Sequence, residues 1–289
     1  MKYHTTQSRV GNVREDIEDR RNYIGGSDVG TIMGVNPYKS RYTLWAEKVG
    51  LIEPEKIDDK EAVWWGRMTE ELIAKRFCEK YGKKVQRSTM AYGIRELPFL
   101  RGHVDRLVTK ENAGLECKST DSWRFNYENG EVPPWHYWQC MFYMATTGRK
   151  RWYLATHQGN SKFHTTVIPR NEQQIDEMLE ACIEFWKLVE NGTPPEIDDS
   201  ESTAETLERM YPEEYAGKVV NLEEQEDTLL ALNALRLKEN ELKNLKTKYQ
   251  NEIKAVLGDA ERGETGQFTV SWKANAKGSR VFRLVEKPV

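Results

Sequence analysis

Cysteine is scarce in this chain and never paired in sequence: Cys78, Cys117, Cys140 and Cys182 stand far apart, with no CxxC among them. That spacing argues against a zinc ribbon or a disulfide framework, and the four read as small apolar core residues. Long apolar runs are missing too. No stretch approaches the roughly 18 residues of a membrane span. The N-terminal segment MKYHTTQSRVGNVREDIEDRR holds nothing that could serve as a signal-peptide core. The expectation is a soluble, cytoplasmic protein without a membrane partner. Excess positive charge is also lacking, since 43 Lys and Arg face 46 Asp and Glu for a net charge of −3. The simplest argument for nucleic-acid binding is therefore absent. A local basic groove in an acidic remainder stays possible, so individual residues must decide. With 289 residues, 38% of them hydrophobic, the chain can build one well-packed core and an appendage, and one active site is expected.

Periodicity and punctuation give the organisation. Gly25-Gly26-Ser27-Asp28 introduces a short helical stretch, and Ser40 can cap a helix from Arg41 to about Lys48. A longer helix runs from about Asp59 to Tyr81 and stops at Gly82. Strand-like segments follow at Lys84–Tyr92, Phe99–Val108 and Ala113–Lys118, with Lys110-Glu111-Asn112 as the turn between the last two. Pro133-Pro134 opens a helix from about Trp135 to Thr147, and strands at Arg151–Thr156 and Phe163–Ile168 precede a helix from about Glu172 to Glu190. Residues 193–220 are acidic and aperiodic and read as a linker or loosely packed strap. Beyond them Leu235, Leu242, Tyr249 and Val256 recur every seven residues, with Leu245 and Ile253 widening the stripe, which predicts one long amphipathic helix. Phe268, Val270 and Trp272 then alternate against Phe282 and Leu284 across a turn containing Gly278, as a closing hairpin. The expected division is a core over 1–192, the strap over 193–220 and an extension over 221–289.

Chemistry concentrates in the middle of the core. On Ala113–Lys118 strict alternation puts Leu115 and Cys117 on one face and Glu116 and Lys118 on the other. With a turn at 110–112, Asp105 lies nearly opposite Glu116 and Lys118, on the same face in one of two registers. An acid-x-Lys pair on a strand is more often a solvated face. A third carboxylate alters that balance. Glu70 falls at the centre of the helix face made by Ile73, Phe77 and Tyr81, where an isolated charge is costly unless neutralised or coordinated. Glu71 lies off that stripe and can pair with Lys75 one turn on. Converging carboxylates select hard cations such as Mg²⁺, the means by which phosphodiesters are hydrolysed.

Arg20…Ile24-Gly25-Gly26-Ser27-Asp28, Gly66-x-x-x-Glu70, Gly102-His103-Val104-Asp105, Leu115-Glu116-Cys117-Lys118 and Gln139-x-x-x-Tyr143 follow one another in that order. The set resembles the YqaJ-type viral recombinases, phage and prophage relatives of lambda exonuclease among the PD-(D/E)xK nucleases. The resemblance implies an α/β fold with a mixed central sheet flanked by helices, here followed by the long helix and hairpin. It further implies a 5′-to-3′ exonuclease on double-stranded DNA ends, dependent on Mg²⁺ or Mn²⁺ with two ions per site. The product would be a 3′ single strand for an annealing protein, and the enzyme a ring-like homotrimer. By the same resemblance Asp105, Glu116 and the backbone carbonyl of Cys117 hold one ion and Glu70 helps hold a second. Lys118 positions or deprotonates water, and Gln139 and Tyr143 brace the site or touch the strand being cut. Val104 replaces the proline of the superfamily's name, at a packing position.

Small residues at a helix start with a serine and an arginine can form an anion site, the alternative being a plain capping turn. The family's use of this segment implies a 5′-phosphate site at Arg20, Gly26 and Ser27, with Arg21 the near alternative to Arg20. His103 is expected to bond a carboxylate rather than a metal. Trp64, Trp65, Trp123, Trp135 and Trp138 could stack on bases of a melted end, though core packing is the commoner fate of tryptophan. Two rival functions remain: a structure-specific or restriction-like endonuclease on the same fold, and a non-catalytic scaffold binding DNA ends.

Overall fold

A computed structural model describes residues 3–9, 20–55 and 60–287. The chain forms two units, one ending at Glu214 and the other beginning at Tyr215. In the first, the described elements are β1 (Thr5–Arg9), α1 (Gly26–Ile32), α2 (Arg41–Lys48), α3 (Glu61–Tyr81), β2 (Val85–Arg87), β3 (Met90–Ile94), β4 (Leu97–His103), β5 (Arg106–Val108) and β6 (Ala113–Thr120). They continue with α4 (Pro134–Thr147), β7 (Arg151–Gln158), β8 (Lys162–Pro169), α5 (Glu172–Asn191) and α6 (Glu201–Met210).

A mixed five-stranded sheet of order β2-β5-β6-β7-β8 positions the site. Only β6 and β7 run parallel, joined by a crossover that contains α4, and the other pairs are antiparallel. Helix α3 covers one face, burying Ile73, Ala74 and Phe77 against Leu115, Cys117, Tyr153 and Ala155. Phe77 is wholly buried and its ring lies 5.2 Å from that of Tyr153, so its truncation to alanine would cost about 3–5 kcal/mol. α3 ends at Gly82, whose φ of 63° is the left-handed cap that only glycine adopts without strain. Helix α4 joins the larger core with α1, α2 and α5. A second sheet, of order β1-β3-β4, is antiparallel throughout.

Two expected strands are each split between these sheets. Lys84–Tyr92 is β2 in one sheet and β3 in the other, separated at Ser88, whose hydroxyl accepts the Met90 N–H at 3.2 Å. Phe99–Val108 breaks at Val104-Asp105, where the chain leaves the three-stranded sheet and enters the five-stranded one. At this break the Asp105 carboxylate accepts the Cys117 N–H at 3.0 Å. Alternation continues through such a break unaltered, which is why the pattern shows one strand. The polar edge strand β1 gave no such pattern at all.

The stretch 193–220 contains the helix α6, against the expectation of an aperiodic strap. Ser200 caps it through the Thr203 N–H, and its deepest contacts are hydroxyls: Thr43 Oγ1 meets Ser202 Oγ and Thr206 Oγ1 at 2.8 Å each, and Thr203 Oγ1 meets Ser40 Oγ at 2.8 Å, while Leu207 and Met210 pack half-buried against the larger core. A ten-residue helix whose deepest contacts are made by threonine and serine, with Leu207 and Met210 as half-buried apolar contacts, leaves only a short apolar signal to read. In the second unit the long helix α7 spans Glu226–Leu257, and β9 (Arg262–Glu264), β10 (Phe268–Ala274) and β11 (Arg280–Glu286) form a three-stranded sheet. The expected hairpin is β10 and β11; β9, three polar-flanked residues, is too short to show alternation.

Candidate active site

The β5–β6 register pairs Arg106 with Leu115 and Leu107 with Gly114, which carries Asp105 to the level of Glu116 at the mouth of the ladder. Sheet alternation then does what the sequence required: Leu115 and Cys117 turn toward α3, and Glu116 turns toward α4. Glu116 is 2% exposed. Its Oε1 accepts from Lys118 Nζ at 2.6 Å and from Gln139 Nε2 at 3.0 Å, while among the described residues its buried Oε2 has no hydrogen-bond partner. Gln139 Nε2 also lies 2.9 Å from the Tyr143 hydroxyl. Gln139 and Tyr143 are themselves buried, so both act inside the protein wall. Five of the expected residues, Asp105, Glu116, Lys118, Gln139 and Tyr143, thus share one connected site.

Its electrostatics follow from crowding acids in a dry place. Burial, and then Glu116, push the Asp105 carboxyl well above the usual range; Glu70 adds to this, and Lys118 and the Cys117 N–H oppose it. Burial disfavours the charge on Lys118, but Glu116 and Asp105 outweigh it and hold the ammonium firmly protonated. Burial, followed by Glu116, raises the Tyr143 hydroxyl, which stays neutral. His136, one turn before Gln139, is held well below its ordinary value by burial and by Lys118, and is a neutral neighbour.

Glu70 sits apart from this knot. Its Oε1 accepts from Arg106 Nη1 at 2.7 Å, and Glu71 Oε2 accepts from Arg106 Nη2 at 2.7 Å. The expected partner of Glu71, Lys75, gives way to Arg106, because the buried guanidinium needs acceptors and reaches both adjacent glutamates. Glu70 is the more enclosed, its side chain 28% exposed against 76% for Glu71. Among the described residues no three His, Cys, Asp or Glu side chains form a ready metal cage. Asp105 and Glu116 nevertheless suit a hard cation, which is often held by one or two carboxylates and keeps several waters. The orphaned Glu116 Oε2 is an oxygen that such an ion would satisfy.

The N-terminal motif lies against the same site. A Cβ on Gly26 would fall 2.6 Å from Tyr143 Cε1, so the bare glycine is what lets the tyrosine ring close over the start of α1. Ser27 is exposed, and Arg20 is exposed in a 3-10 turn at Arg20–Asn22. Arg21 is engaged with Glu53 at 2.5 Å. The side chain of Lys48, 4% exposed, donates to the carbonyls of Arg20 and Tyr23 at 2.6 Å and to Asp28 Oδ2 at 2.8 Å, and Asp28 accepts the Gly25 N–H at 3.0 Å. Burial works against the Asp28 charge, but Lys48 outweighs it and holds the carboxyl below the usual range. Sequence reasoning did not single out Arg106 or Lys48. Each is a cation whose partners are brought to it only by tertiary packing.

Trp64, Trp65 and Trp123 are about half exposed or more, whereas Trp138 packs against the core and Trp135 is half-buried. Val104 is buried at its packing position. Three of the four cysteines are buried and all are free. Among the described residues no helix is long and apolar enough to cross a membrane.

The chain shares the fold of a solved alkaline exonuclease from Laribacter hongkongensis, with a TM-score of 0.54 and 20% identity over 62% of this chain and 94% of that one. The same enzyme in complex with dAMP matches with a TM-score of 0.54 over 68% of this chain and 96% of that one. This is the PD-(D/E)xK fold. The model of the YqaJ-like viral recombinase domain matches residues 17–150. The uncharacterised protein YqaJ of Bacillus subtilis is 33% identical over 271 residues, 90% of this chain and 82% of its own length. With motifs, fold and near full-length likeness in agreement, the chain belongs to the YqaJ-like viral recombinase family.

Proposed function

We propose that the chain is a DNA exonuclease that hydrolyses linear duplex from a 5′ end with Mg²⁺ or Mn²⁺, its activity residing in residues 1–192. The observation that carries this reading is the pairing of Asp105 with a buried, half-satisfied Glu116 beside a charged Lys118. Asp105, Glu116 and the Cys117 carbonyl would hold one cation and Glu70 would help hold a second. A divalent cation there makes water nucleophilic at neutral pH and offsets charge on the scissile phosphate. Lys118, protonated in this environment, acts as a donor that orients the attacking water and meets the phosphate. Gln139 fixes Glu116 by the same amide that meets Tyr143, and its burial favours bracing over direct contact with DNA.

Arg20 and Ser27, exposed beside this wall, would take the terminal 5′-phosphate, with Gly26 permitting the close approach of Tyr143. The family relationship supports a ring of three subunits and delivery of the 3′ strand to an annealing protein. End-labelled linear duplex, with and without a 5′-phosphate, and a covalently closed circle test the reading together. Digestion of the linear DNA alone, fastest from phosphorylated ends and abolished by EDTA, is expected. Cleavage of the circle would establish an endonuclease instead, and end binding without cleavage would leave a scaffold.

A further inference from the structure

Arg106 is 3% exposed, yet its head is shared among three acceptors, two on α3 and one at the break between β4 and β5. Nη1 donates to Glu70 Oε1 at 2.7 Å and to the Asp105 carbonyl at 2.9 Å, and Nη2 donates to Glu71 Oε2 at 2.7 Å. A guanidinium usually grips one carboxylate with two parallel bonds. Here the fork is split, so Glu70 is held by one oxygen only. The same group is tied to the backbone of Asp105, so the hold fixes the acid on α3 relative to the acid at the strand break.

We propose that Arg106 is a positioning residue that sets Glu70 for cation binding, with Glu71 as the counterweight that keeps the fork from closing on both oxygens of Glu70. This rests on the nuclease reading only for the use of the cation. A carboxylate fixed at one oxygen and, among the described residues, without a partner at the other is a ligand with its orientation already decided, and such outer contacts commonly govern metal affinity. Glu71, though 76% exposed and remote from Glu116, gains a role by occupying Nη2. Plain electrostatics makes the opposite forecast for Arg106: removing a positive charge beside Glu70 should strengthen cation binding.

The test is Mn²⁺ binding to the full chain without DNA, measured by calorimetry and by the electron paramagnetic resonance of free Mn²⁺. Wild type, R106K, R106M, E71Q, E70Q, E70Q/R106K and E70Q/E71Q are compared, with thermal melts to verify folding. R106K keeps the charge and loses the fork, so both R106K and R106M should weaken binding about tenfold or more. In the E70Q background R106K should add nothing, because its effect passes through Glu70. Tighter or unchanged binding by R106M, or equal effects of R106K in both backgrounds, would overturn the proposal. Should the Arg106 variants fail to fold, E71Q decides. It buries no unpaired charge and should weaken binding about two- to threefold in wild type and not at all in E70Q. Equal weakening in both would mark a general field effect and remove the counterweight. Mn²⁺ binding with this pattern but no DNA cleavage by the wild type would defeat the nuclease reading and leave the role of Arg106 standing.

Discussion

Gly26→Ala places one methyl group at the tightest junction of the site. Its Cβ would lie 2.6 Å from Tyr143 Cε1, 2.9 Å from Cζ and 3.1 Å from the hydroxyl, so the ring must retreat by about 1 Å to reach ordinary contact. The ring belongs to α4, whose Gln139 bonds both the Tyr143 hydroxyl and Glu116, so the displacement is passed to the Glu116 carboxylate. Overpacking of this kind costs about 1–3 kcal/mol. In a unit of this size, each kcal/mol shifts Tm by roughly 2–4 °C. A misplacement of about 1 Å can lower the rate roughly a hundredfold. Gly25→Ala is the control, because its Cβ would meet Tyr23 at 3.7 Å, an ordinary contact. Thermal melts and digestion of labelled duplex measure both effects. Tyr143→Ala should relieve the melting penalty of Gly26→Ala without restoring activity. Wild-type rates for Gly26→Ala, or equal losses for the two glycine variants, would refute the coupling between the N-terminal motif and the acids.

Glu116→Ala and Lys118→Ala should each abolish cleavage while leaving the melting curve cooperative, and substantial Mg²⁺-dependent digestion by Lys118→Ala would remove its assigned role. Asp105 carries a testable pH signature: because its folded-state pKa is raised, its contribution to stability is full below the unfolded value of about 3.9 and is lost as pH rises through the folded one. In EDTA, Asp105→Asn should therefore match wild type near about pH 4 and exceed it increasingly toward about pH 7, with added Mg²⁺ reversing the order; denaturant melts showing a pH-independent difference would contradict this. Arg20→Ala should slow digestion of 5′-phosphorylated duplex about ten- to a hundredfold and reduce its advantage over 5′-hydroxyl duplex. Equal slowing on both ends would make Arg20 a general backbone contact.

The helices were legible because their signals are local. Ser40 caps α2 through the Thr43 N–H, Gly82 ends α3, and Gly192 ends α5 with a φ of 64°; each depends only on a few neighbouring residues. The sheet was legible only in its alternation. That Leu115 and Glu116 face opposite ways follows from the pleat, but which strand lies beside β6, and in which direction, depends on contacts distant in sequence. The same limit hid the two strand breaks and the three-residue β9. α6 was hidden for a different reason, its deepest residues being Thr203 and Thr206, with only Leu207 and Met210 as half-buried apolar contacts.

The site divides along the same line. Glu70, Asp105, Glu116 and Lys118 could be named because a carboxylate in an apolar stripe and acids facing across a turn are costly arrangements that need a reason. Arg106 could not, because alternation from Asp105 sends its side chain to the opposite face, which for a short polar-ended strand reads as solvent. Helix α3 covers that face, and a buried guanidinium there must find acceptors or cost several kcal/mol. Two adjacent glutamates on one helix, only one of them on the apolar stripe, were the visible half of the answer. The charge count makes the link between them physical. Glu116 and Glu70 both work against charge on Asp105 and Lys118 opposes them, so without Arg106 the acids would press harder on one another. Pairing Arg106 with Glu70 relieves that repulsion, and pairing it also with Glu71 limits the relief, leaving an acid that is held near its partners yet still has an oxygen to offer.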